Sequence, residues 1–254
     1  MSQLQALIFD IDGTLAETER DGHRVAFNRA FAEEGLDWEW QVPLYDELLL
    51  VTGGKERLEH YLKEYLPDFA KPDDFDEFIA RVHAAKTRHY ADLLDEGAIP
   101  LRPGVKRLLT EARSRGCRLA IATTSAYPNV LGLLDKHLDR DWFEVIGAGD
   151  MVPDKKPAPD VYQYVLDKLG LEAKDCVAFE DSEQGFAAAS RVGLKTIITT
   201  NQFTENQNFE GALLVLDCLG EPDAPCRVIA GSTTDIPYLD FDRVVQLHQE
   251  NVAR

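Results

Sequence analysis

Apolar and polar residues change rhythm twice along the chain. Leu7-Ile8-Phe9-Asp10-Ile11 is a short apolar run that carries a carboxylate near its end, the pattern of a parallel strand buried on both faces. From about Glu17 to Gly97 the period becomes helical. Val25, Phe27, Ala30 and Phe31 recur before Gly35, and Leu58, Tyr61, Leu62, Tyr65 and Leu66 recur before Pro67. Phe75, Phe78, Ile79, Val82, Leu93 and Leu94 repeat the same spacing. These are at least three amphipathic helices. After Arg102-Pro103-Gly104 the rhythm alternates. Helices are predicted over about 105–115, 128–137, 159–169 and 184–192. Strands are predicted at 119–123, 143–146, 176–179 and 196–198. Alternation with short links means a parallel sheet with helices on both faces. The predicted fold is therefore α/β, with a Rossmann-like core formed by residues 1–15 and 100–254. An all-helical domain, 16–99, is inserted after the first strand. Cys218 to Asp235 reads as an irregular, proline-containing stretch without functional signal.

Composition narrows the classes. The chain has 254 residues, 44% of them apolar, enough to bury a core and too many for a disordered chain. No run approaches 18 uninterrupted apolar residues, so no membrane partner is expected. The net charge of −18 argues against nucleic acid, whose phosphates recruit Lys and Arg. The acidity is concentrated in the insertion, which holds 10 basic and 20 acidic residues. The cysteines Cys117, Cys176, Cys218 and Cys226 form no CxxC pair and have no His at zinc-ligand spacing. So few thiols in a chain of this length suit a reducing compartment. With strand-like residues starting at Leu4, no leader peptide is expected. The reading is a cytoplasmic monomer.

In open α/β sheets, ligands bind beyond the carboxyl ends of the strands. Those ends read Asp10-Ile11-Asp12-Gly13-Thr14, Thr123-Thr124-Ser125 and Glu180-Asp181-Ser182, joined by Asp154-Lys155-Lys156-Pro157. Carboxylates, hydroxyls and a lysine converging on one crevice suit a phosphoryl group and a hard cation. Mg²⁺ takes oxygen ligands, commonly one or two carboxylates plus substrate phosphate, and Asp10 and Asp181 can supply them. Asp10 can attack phosphorus to form an aspartyl-phosphate, while Asp12 protonates the leaving oxygen and later activates water. Thr123 and Lys156 can bind the phosphoryl oxygens. Glu180 is either a water-mediated metal contact or a plain strand-end carboxylate. Thr14 either orients Asp12 or, as expected here, satisfies its turn through a hydroxyl-to-backbone bond with some site contact. The aspartates do not form a calcium loop, whose sixth and twelfth positions would fall on Leu15 and Asp21. No GxxxxGK[ST] occurs, and Gly147-Ala-Gly149 lacks the third glycine of a dinucleotide site.

These four motifs, in this order, resemble those of the haloacid-dehalogenase-type phosphohydrolases, over residues 4 to 200. The resemblance implies a core of that family's fold with a helical cap inserted after the first motif. It implies Asp10 as nucleophile and Asp12 as acid/base, with Mg²⁺ on the Asp10 side chain, the Asp12 carbonyl and Asp181. A narrower likeness runs through Ala16 to His23, Thr52 to Arg57, Leu101 to Gly104, Ala122 to Ser125 and Gly147 to Met151. These stretches resemble the CbbY group, phosphatases for xylulose 1,5-bisphosphate, a by-product that inhibits Rubisco. That likeness implies a substrate with a second phosphate. The matching positions are Glu19, Gly53, Gly54, Lys55, Glu56, Arg57, His83 and Lys86 in the cap, with Ser125 and Asn129 in the core, while Thr124 is expected to lend a backbone amide. The residue types are apt: Gly53-Gly54 admits close approach of backbone amides, and Lys55 and Arg57 bring charge and a donor fork. His83 and Lys86, three apart on a helix, share a face. His23 is a further possible contact, and Trp38 and Trp40 are expected to pack within the cap. A sugar phosphomutase of the β-phosphoglucomutase type would use the same Asp10 and Asp12, and a phosphoglycolate phosphatase is a milder variant.

Overall fold

The computed structural model describes residues 3–51, 53–231 and 236–252. Thr52 and Asp235, both within stretches singled out above, lie outside the described residues. The chain divides into two compact units, residues 1–17 with 100–254, and residues 18–99.

The first unit is built on a seven-stranded sheet ordered β3-β2-β1-β4-β5-β6-β7. Its strands are β1 Ala6–Phe9, β2 Arg118–Ala122, β3 Phe143–Gly147, β4 Cys176–Glu180, β5 Lys195–Thr199, β6 Leu214–Leu216 and β7 Val228–Gly231. Strands β1 to β6 pair in parallel, while β7 runs antiparallel to β6. The parallel core expected from the sequence is thus present, with one antiparallel strand added at its edge. The stretch read as irregular holds β7, and its fellow strand β6 precedes it.

Helices pack close on this sheet because its centre is lined with small residues. Ala6, Ala120, Ala122 and Ala178 are buried against Val161, Tyr162, Val165, Leu166 and Leu169 of helix α7, Asp160–Leu169, and Ala188 and Ala189 of α8, Glu183–Arg191. Each fully buried Val or Leu there contributes about 1.5–3 kcal/mol of transfer free energy. Phe9 stacks on Phe179 across β1 and β4, with ring centroids 4.4 Å apart. Helices α5, Val105–Ser114, and α6, Tyr127–His137, complete the alternating part. A last helix, α9, Phe241–Val252, packs against α5 and was not foreseen in the sequence.

Register places the chemistry. Phe9 lies opposite both Ile121 and Phe179, so the residues that follow β1, β2 and β4 emerge side by side. Backbone bonds from Asp10 to Phe179 (3.0 Å) and from Thr123 to Gly147 (3.0 Å) carry the pairing to the strand ends.

The second unit is all-helical. A six-residue π-helical segment, Thr18–His23, leads into α1, Arg24–Glu33. Then come α2, Val42–Leu48, α3, Gly54–Glu64, and α4, Phe75–Glu96. Helix α2 escaped the sequence reading because it is short and carries Pro43, which here occupies its first turn, where a missing N–H costs nothing. The unit is held by aromatic side chains: Trp40 packs on Phe27, Phe31, Tyr45 and Tyr61, and Trp38 on Phe31, Tyr61, Phe69 and Phe78. Asn28 fixes the Trp40 backbone from both sides, accepting from its N–H (2.8 Å) and donating to its carbonyl (3.1 Å). Both tryptophans therefore serve packing. None of the described helices is long and apolar enough to cross a membrane.

Candidate active site

Asp10 follows β1, Thr123 follows β2, and Glu180-Asp181 closes β4. Lys156 reaches the same place from the loop before α7. Its Nζ donates to Asp10 Oδ1 (2.6 Å), Glu180 Oε1 (2.6 Å) and the Ala122 carbonyl (2.9 Å). All four charged groups are buried. The three carboxylates each offer an oxygen within 4.8 Å of the others. One lysine therefore faces three acids, and the balance is negative.

The titration directions follow. Burial pushes Asp10 up to about 7; Lys156 pulls it down, and the Glu180 and Asp12 charges push it further up. Asp181 is held well above the ordinary carboxylate range by burial and by the Asp10 and Glu180 charges. Lys156 loses from burial but gains more from its two carboxylate partners, so it stays firmly protonated. A cluster of hard oxygen donors, short by at least one positive charge, fits Mg²⁺ on chemistry alone.

Glycines and amides complete the frame. A Cβ on Gly13, at φ +80°, would overlap the Asp181 carboxylate, so only glycine lets the loop after β1 touch that acid. Asn201, just past β5, donates from Nδ2 to Asp181 Oδ2 (2.7 Å). Tyr162 donates to Glu180 Oε1 (2.6 Å). Glu180 thus shares one oxygen between Lys156 and Tyr162. Arg102 is buried and donates to the carbonyls of Gly13, Thr199, Thr200 (2.6 Å) and Asp217 (2.7 Å), and it pairs with Glu17 (3.1 Å). It ties the loop after β1 to the ends of β5 and β6.

Asp12 stands apart from the acid cluster in its side-chain bonding. Its Oδ2 accepts from Ser125 Oγ (2.5 Å), while Oδ1 is buried with no hydrogen-bond partner. The Thr123 hydroxyl oxygen accepts from Ser125 N (3.2 Å), which leaves its proton available to a ligand. Thr124 is half-buried beside it, and Asn129 lies in the first turn of α6. The Thr14 hydroxyl is buried without a partner, so it does not satisfy the turn as expected; backbone bonds from Thr14, Leu15 and Ala16 to the Ile11 carbonyl do that instead.

In the helical unit, the residues expected to bind ligand fall into two linked groups. Glu19 accepts from the Tyr45 hydroxyl (2.7 Å), which accepts from Arg57 (2.9 Å). Arg57 is buried and also donates to the carbonyls of Leu48 (3.1 Å) and Val51 (3.3 Å). Its fork is thus turned on its own unit. Lys86 Nζ lies 2.9 Å from His23 Nδ1 and over the Phe27 and Tyr90 rings. Gly54 abuts the His83 ring, and a Cβ on Gly53 would overlap the Glu56 carboxylate, which folds back over the start of α3. Burial lowers His83, and the Lys86 and Lys55 charges lower it further. His23 is held well below its usual range by burial, then by Lys86, Arg57 and His83.

Sequence reasoning missed Arg102, Asn201 and Tyr162 as parts of this machinery. Asn201 had a signal, since it follows the next strand in line. Tyr162 sits in the apolar stripe of α7 and reads as core. Arg102 was seen only as part of a motif.

Comparison with known proteins gives a consistent result. A model of the haloacid dehalogenase-like hydrolases matches residues 4–193. A CbbY protein of Cupriavidus necator is 53% identical over 87% of this chain and 88% of its own length. A phosphorylated-carbohydrates phosphatase of Thermotoga maritima is 33% identical over 76% of this chain and 84% of its own. Among solved structures, a mutant CbbY from Rhodobacter sphaeroides in complex with xylulose-(1,5)bisphosphate superposes with a TM-score of 0.72 at 44% identity, covering 85% of this chain and 94% of that one. Strand-end carboxylates, sheet and sequence all agree, and the chain belongs to the haloacid dehalogenase-like hydrolases, as a phosphatase related to the CbbY proteins.

Proposed function

We propose that this phosphatase removes one phosphate from xylulose 1,5-bisphosphate, giving xylulose 5-phosphate, with Mg²⁺ as cofactor. The observation that carries the reading is the single lysine bridging Asp10 and Glu180 beside Asp181, at the ends of neighbouring strands. The choice of sugar rests on the bisphosphate held by the CbbY relative.

Asp10, the Asp12 carbonyl and Asp181 would hold the cation, with Glu180 and Asn201 around them. The ion supplies charge neutralisation between an aspartate nucleophile and an anionic phosphoryl group. Lys156 and Thr123 bind the transferring phosphoryl oxygens. Asp10 attacks phosphorus, and the bond from phosphorus to the sugar oxygen breaks as Asp12 delivers its proton to that oxygen. Asp12 then takes a proton from water as the water oxygen attacks phosphorus and the Asp10 carboxylate leaves. Thr124, Ser125 and Asn129 line the core side of the reaction. In the helical unit, Gly53, Gly54, Lys55, Glu56, His83 and Lys86 are assigned to the second phosphate and Glu19 to the sugar, with Arg57 bracing Glu19 through Tyr45.

A phosphate-release panel of sugar mono- and bisphosphates, with and without Mg²⁺, tests this. Mg²⁺-dependent release of one phosphate per xylulose 1,5-bisphosphate is expected. Isomerised sugar phosphate without free phosphate would make the enzyme a mutase instead.

A further inference from the structure

We infer that Ser125 is a positioning residue for the acid/base carboxylate, holding Asp12 so that one oxygen alone carries the travelling proton. This rests on the aspartyl-phosphate reading above.

Three observations support it. The Ser125 hydroxyl spends its proton on Asp12 Oδ2, at 2.5 Å, so that oxygen is occupied. The other oxygen, Oδ1, is buried and accepts no hydrogen bond. A carboxylate so divided has distinct faces, and the proton it delivers belongs on Oδ1. Third, Ser125 itself is held. Its backbone N–H donates to Thr123 Oγ1 (3.2 Å), and its carbonyl accepts from Gly149 N (2.9 Å). Gly149 stands so close to Thr124 that a Cβ would overlap the Thr124 carbonyl oxygen. This gives Gly149 a purpose that a dinucleotide site does not: it lets the loop after β3 press on the loop after β2 and set the seryl hydroxyl.

A proton donor matters in proportion to how poor the leaving group is. Nitrophenolate departs from phosphorus without help, whereas unsubstituted phenolate gains from a delivered proton. Loosening Asp12 should therefore steepen the dependence of rate on leaving-group acidity. A serine that merely touched the sugar, or merely kept the loop folded, would not do this to ring-substituted phenyl phosphates, which carry no sugar.

The experiment is single-turnover release of phenol from a series of substituted phenyl phosphates, with enzyme in excess and Mg²⁺ saturating, so that only the first transfer is read. For Ser125→Ala, the loss on phenyl phosphate should exceed the loss on p-nitrophenyl phosphate by about tenfold or more, part of the range general acids supply. Ser125→Thr, which keeps the hydroxyl, should restore the shallower dependence. Equal losses across the series, or no loss at all, overturn the inference. Asp10→Asn in the same assay separates the two claims. If that variant still releases phenol, the nucleophile assignment falls. If it is inert while Ser125→Ala slows every ester alike, only the role of Ser125 falls.

Discussion

The acidic crevice of the core and the basic cluster of the helical unit solve opposite electrostatic problems. In the core, Asp10, Glu180 and Asp181 crowd around Lys156, and burial leaves two of the acids protonating far above their usual range. In the helical unit, His23, Lys55, Arg57, His83 and Lys86 lie near enough to lower the two histidines, although that unit is strongly acidic as a whole. The first gathers acids around one lysine; the second gathers basic groups, with Glu19 and Glu56 among them. Net charge of −18 describes neither, because charges beyond about 10 Å are screened at ordinary salt.

The largest expected effect breaks the core side. Asp10→Asn should abolish turnover while circular dichroism and the thermal midpoint show an intact fold. Substantial remaining activity would remove Asp10 as nucleophile. Next, Asn201→Ala leaves the Asp181 carboxylate without its amide donor. Partners of metal ligands are commonly worth 10- to 100-fold. A rise of about that size in the Mg²⁺ concentration for half-maximal activity is expected, and an unchanged Mg²⁺ requirement would mean the amide is mere packing.

The other side is broken with Lys55→Ala. It should weaken xylulose 1,5-bisphosphate about tenfold in kcat/KM, one lost charge-assisted bond, and leave a generic one-phosphate ester nearly untouched. Equal loss on both esters would take the second phosphate away from the helical unit.

The smallest effect sharpens the comparison through pH. Asp10 is raised from 3.8 to about 7, so its contribution to stability is full below about pH 4 and is lost as pH rises through 7. A cation bound by the ionised acids reverses that loss. The gain in thermal midpoint from Mg²⁺ should therefore be small at pH 5 and grow to a few degrees by pH 8. A gain independent of pH would place the ion elsewhere.

How much of this could be read from the chain depended on how each element declares itself. Asp10, Thr123 and Asp181 were legible because fully buried strands read as apolar runs and stop at polar residues. The last third was not. Strand β6 has three residues within the apolar run Ala212 to Leu216, a signal the sequence reading passed over, and β7 is short and mostly exposed. Helix α9 does carry Phe241, Val244 and Leu247 at helical spacing, a signal the neighbouring irregular stretch obscured. Side-chain partners lay further out of reach. Nothing in the text of Leu101-Arg-Pro-Gly104 says that the guanidinium turns inward to bind four carbonyls.

That guanidinium also decides where the molecule can be cut. The match to the hydrolase family model ends at residue 193, yet Arg102 spends donors on Thr199, Thr200 and Asp217. A polypeptide trimmed at residue 193 would remove three of the four carbonyls that Arg102 binds, leaving the guanidinium only Gly13 and Glu17 at the loop that carries Asp10 and Asp12. Anyone transplanting this catalytic half into a shorter scaffold must bring its tail along.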